Sequence, residues 1–104
     1  MLMIGNYSSP DAGPISAITW DGSDDQAEQI VNWLRDDQHA NAWYMKARPN
    51  KQDFPSFIDI ADLADGLFAG QTLVLDWRTG KISVQRKFEL APGWSFTHQT
   101  EIRD

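Results

Sequence analysis

The chain has 104 residues, a net charge of −6, 41% hydrophobic residues and no cysteine. This length and composition predict one folded domain over residues 1–104 with a single modest core, because wholesale disorder goes with lower hydrophobicity. The lack of cysteine excludes disulfide frameworks and thiolate metal sites, and no run approaches the ~20 apolar residues that span a bilayer.

In chain order, MLMIGNYSS opens with a short apolar run but without the basic and long apolar regions of a signal peptide. A strand or an N-terminal arm is expected within residues 1–14. ISAITW (15–20) predicts a short strand closed by the Asp21-Gly22 turn signal. Ser23 then has N-cap chemistry, with Gln26 three residues on to complete a capping box. Asp24, Asp25 and Glu28 sit near the positive end of the helix dipole. Ala27, Ile30, Val31 and Leu34 keep the spacing of one helical stripe, which predicts a helix from about 24 to 36, widened toward the core by Trp33.

AWYMKA (42–47) predicts a strand with Trp43 and Met45 on the core face and Tyr44 and Lys46 on the other. RPNKQDFPS (48–56) is a loop, and FIDI (57–60) resumes a strand. ADLADGLFAGQ allows either one helical turn on Leu63, Leu67 and Phe68 or a turn-rich connection. TLVLDWRTGKISVQRKF (72–88) alternates, breaks at Thr79-Gly80 and alternates again. It predicts an antiparallel hairpin with Trp77 opposite Ile82, Leu75 opposite Val84 and Leu73 opposite Arg86. A β-branched Thr suits the first position of a type I′ turn poorly, so a four-residue loop over 78–81 is expected. Residues 92–104 form a weakly patterned tail. Together these elements predict an α+β fold: an antiparallel sheet of four to five strands with one amphipathic helix packed on one face.

Ala17, Trp20 and Gly22, the capped helix, and Gly70 with Leu73–Leu75, Gly80 and Phe88 resemble a small domain encoded widely by actinobacterial phages. The resemblance spans roughly residues 15–90. Gln71 and Thr72 stand where that family has an acidic-aromatic pair, and Lys81 and Ile82 where it has a glutamate and an aromatic. The resemblance implies a phage context and a host-cell cytoplasm, and no particular activity.

Candidate chemistry is sparse. His39 and His98 have no Ser, Cys or second His close in sequence, so no catalytic residue, metal ligand or cofactor is expected. DGSDD (21–25) lacks the twelve-residue calcium loop and its closing glutamate, and helix capping accounts for its acids. Charge is more telling, because residues 1–42 hold seven acids and one base while 43–56 and 66–88 are each net positive. The acids Asp21, Asp24, Asp25, Glu28, Asp36 and Asp37 therefore form the expected binding face, with Trp94 after Pro92-Gly93 either folded back or an exposed anchor. Tyr44, Lys46, Arg48 and Lys51 are the alternative surface, since interleaved aromatics and bases can stack on single strands. The function expected is that of a non-enzymatic accessory protein of phage type, cytoplasmic, with a protein partner such as a host or defence factor. A DNA mimic or other nucleic-acid-related regulator, a homo-oligomeric structural component and, last, a small hydrolase or ligand-binding enzyme are the alternatives; overall acidity argues against nucleic acid itself as the partner.

Overall fold

The computed structural model describes residues 2–47, 55–63 and 65–102. In chain order it contains β1 (Leu2–Ser8), β2 (Ile15–Thr19), α1 (Asp24–Asp36), β3 (Ala42–Met45), β4 (Phe57–Ile60), β5 (Leu67–Phe68), β6 (Thr72–Asp76), β7 (Ile82–Gln85) and β8 (Ser95–Ile102). The fold is α+β, but the strands divide between two antiparallel sheets instead of one. Five strands run in the order β7-β6-β2-β1-β8 and three in the order β3-β4-β5. The helix lies against β3 of the smaller sheet and β1 of the larger.

Helix α1 begins where its sequence says it should. The Ser23 hydroxyl accepts from the Gln26 N–H at 3.2 Å, as an N-cap does. The Gln26 side chain reaches back two residues further than in a standard capping box and accepts from the Asp21 N–H at 3.0 Å. Beneath the cap, the fully buried Trp20 donates its indole N–H to the Ser23 carbonyl at 2.9 Å, which ties the helix start to the core.

Pairing of Asn6 with Ser16, Ser16 with Leu75 and Ile18 with Leu73 places Leu2, Ile4, Ile18, Leu73 and Leu75 on one side of the large sheet. These side chains share one core cluster with Ala27, Ile30, Val31, Trp33 and Leu34 of the helix and Ala42, Ile58, Ile60 and Leu67 of the small sheet. Leu34→Ala should therefore destabilise the protein by about 2–5 kcal/mol. The exposed Asp25→Ala should stay within about 0.5 kcal/mol of wild type. Equal shifts of the two melting curves would show that the helix faces the other way.

Three further sequence expectations need correction, and a fourth needs an addition. In β3 the faces are reversed: Ala42 and Tyr44 point inward opposite Ile60 and Ile58, and Trp43 and Met45 are about half exposed. Both faces of AWYM are apolar, so side-chain size misleads there. Tyr44 gains an edge-on contact with Trp20 at 5.9 Å, while Trp43 lies under the Arg35 guanidinium at 5.8 Å.

The hairpin keeps its predicted parity but shifts by two residues, pairing Leu75 with Ile82 and Leu73 with Val84. Its four-residue loop is 77–80, because the Asp76 carboxylate accepts from the Arg78 N–H at 2.9 Å and starts the turn early. Gly80, at φ +74, closes that turn. As a result Trp77 leaves the core face and is half exposed.

Residues 61–63 and 65–71 take the turn-rich alternative, with turns at 61–62 and 69–70, and add a strand that was not expected. The short strand β5 pairs with β4 there, stacking Phe68 on Phe57. Finally, the weakly patterned tail contains the eight-residue edge strand β8, paired with β1 and interrupted by a register shift beside Asn6 and Tyr7. Its side chains are exposed up to Glu101, so hydrophobic alternation could not reveal it.

Candidate functional site

The predicted acidic set divides by its bonding within the chain. At the start of α1, Asp21 accepts from the Ser23 N–H at 2.8 Å. Hydrogen bonds from Ser23 hold the Asp21 carboxyl below its ordinary range. Asp24 takes the Tyr44 hydroxyl at 2.5 Å and the Lys46 ammonium at 2.7 Å. One member of the predicted acidic face thus binds two members of the predicted alternative surface. The other two, Arg48 and Lys51, lie outside the described residues.

Lys46 first and Tyr44 second lower the Asp24 carboxyl pKa, and Asp24 in turn raises that of Lys46. Burial, then the Asp24 hydrogen bond, raises the Tyr44 hydroxyl. Because both carboxyls are depressed by folding, their stabilisation is present above the unfolded pKa and is lost as pH falls through the folded one. In an NMR titration the Asp24 carboxyl should titrate below 3.8 and move toward that value in Lys46→Ala. An unshifted midpoint in wild type would contradict the pairing.

The remaining acids are free of such bonds. Asp25, Glu28 and Asp36 fall on one exposed stripe of α1, and Asp37 follows at its C-cap. Among the described residues none of these four takes part in an ion pair. Helical rise puts Asp36 about 18 Å from Asp24. Trp94 takes the folded-back position: it is half-buried, and a Cβ at Gly13 would come within 2.9 Å of its ring.

Asp36 and Asp37 border a cleft of about 380 Å³ lined by Ile4, Asn6, Ser16, Trp33, Gln38, Trp77 and Thr100. Asn6 and Ser16 continue the inward rows of β1 and β2 past the apolar residues, so two polar side chains are buried at its floor. They satisfy each other. Ser16 accepts from the Trp77 indole N–H at 2.7 Å and donates to Asn6 Oδ1 at 2.6 Å. The Asn6 amide donates to Thr100 Oγ1 at 2.9 Å and to the His98 carbonyl at 3.1 Å. The Ser16 proton rests on an amide oxygen, which takes no proton, so the chain of bonds positions groups without activating a nucleophile.

Asn6→Ala should cost about 1–3 kcal/mol by leaving the Ser16 hydroxyl without its buried acceptor. Urea denaturation measures this, and a neutral result would mean the network is not closed. Sequence reasoning missed Asn6, Ser16, Trp77 and Thr100. The available signal was a polar residue at the inward position of each of the first two strands.

His39 and His98 are exposed, and among the described residues no three His, Asp or Glu side chains converge as a metal site would require. In comparison with known proteins, the chain matches no family model, no curated protein and no solved structure.

Proposed function

We propose that the protein acts by binding and not by catalysis, presenting Asp25, Glu28, Asp36 and Asp37 to a basic surface of a protein partner. The observation that carries this reading is the division among the acids. Asp21 and Asp24 are consumed by the fold, whereas these four stay exposed and unpaired among the described residues. Unpaired like charges on one helix repel one another at a small cost, which a basic partner would reverse. The resemblance to phage-encoded domains extends the proposal to a host or defence protein as the partner, met in the host cytoplasm.

Affinity capture from host lysate tests this reading when wild type is run beside the double variant Asp36→Lys, Asp37→Lys. A protein held by wild type, released by moderate salt and absent from the variant supports it. Capture of the same proteins by both forms, or of none, counts against it.

A further inference from the structure

We infer that the cleft between Trp77 and the Asp36 and Asp37 carboxylates receives a single arginine side chain of the partner. This rests on the binding reading above and names the chemistry that the site would select.

Three features of the cleft choose its occupant. The first is the hydrogen-bond direction of the floor. The Trp77 N–H is spent on Ser16, the Ser16 O–H on Asn6, and the Asn6 amide on Thr100 and the His98 carbonyl. Ser16 Oγ and Asn6 Oδ1 each keep a lone pair, so these two floor groups offer acceptors, while the Thr100 hydroxyl, the Trp33 indole and the Gln38 amide are the donors among the lining side chains. A ligand that brings several donors fits the two floor acceptors and the rim carboxylates together. The second feature is the rim, where two exposed carboxylates add negative charge from a different element. The third is Trp77, which is 49% exposed although its N–H is engaged.

A guanidinium matches all three. It is planar, carries five N–H donors and no acceptor, is weakly hydrated and stacks on an indole face. An ammonium is a compact, strongly hydrated charge that gains less from a flat wall. Anions meet the carboxylates and are repelled. The chain makes the same kind of pairing elsewhere, where Arg35 lies over Trp43 at 5.8 Å.

The test uses three blocked tripeptides with a central arginine, lysine or citrulline, each titrated into the ¹⁵N-labelled protein. Citrulline keeps the shape of arginine without its charge. The arginine peptide should bind in the millimolar range and shift the Trp77 indole N–H and the Asn6 side-chain amide. The citrulline peptide should bind at least about tenfold more weakly, and Asp36→Asn with Asp37→Asn should weaken the arginine peptide by a similar factor. The inference is overturned by silence at Trp77 and Asn6, by equal binding of citrulline, or by a lysine peptide that matches arginine. Should the peptides fail while charge reversal still releases the captured protein, the arginine cleft falls and the binding reading stands. Peptide binding at Trp77 with a capture indifferent to Asp36 and Asp37 gives the converse.

Discussion

Trp20→Ala is expected to lower the unfolding free energy by about 3–5 kcal/mol, as for a large aromatic removed from a closed core. Trp20 is fully buried in the same cluster as the helix stripe and strands of both sheets. Its indole N–H also holds the Ser23 carbonyl, and its ring meets Tyr44 edge-on. Alanine would therefore open a cavity, release the segment that caps α1 and loosen the packing of β3. Trp20→Phe keeps most of the ring and loses the donor, so it should cost clearly less. Urea denaturation separates these outcomes, provided the slope stays constant across the variants. A Trp20→Ala cost under about 1 kcal/mol would be incompatible with a residue at the centre of the core.

The double variant Asp36→Lys, Asp37→Lys should slow association with a basic partner by about tenfold or more, since steering charges act chiefly on the on-rate. It should leave the melting temperature close to that of wild type. Both side chains are exposed, and lysines at a helix C-terminus meet a favourable dipole. The same reversal at Asp24 should behave differently, because Asp24 bonds Tyr44 and Lys46 at the protein surface. A contrast between the two ends of one helix thus distinguishes a partner-facing charge from a structural one.

The extent to which the sequence foretold this arrangement follows from the range of each interaction. Helix α1 was legible to the residue because its signals are local: Ser23, Gln26 and the stripe from Ala27 to Leu34 lie within one short segment. Hairpin parity was legible because a one-residue slip would scatter Leu73, Leu75, Ile82 and Val84 over both faces. Its register was not, since a two-residue shift preserves parity and was decided by the Asp76 carboxylate in the turn. Strand β8 left no pattern because its exposure hardly alternates. Of the cleft, only Asp36 and Asp37 were foreseen, as members of a charge cluster. Asn6, Ser16, Trp77 and Thr100 come from four separate segments, and only tertiary pairing joins them.

The most direct measurement is the association rate of the wild-type protein with its captured partner across a salt series from about 0.05 to 0.5 M, over which screening shortens markedly. If the carboxylates of α1 steer a basic surface, the on-rate falls about tenfold or more across that range while dissociation changes far less. In the Asp36→Lys, Asp37→Lys variant the dependence should flatten. A wild-type on-rate that does not respond to salt would contradict an acidic working surface.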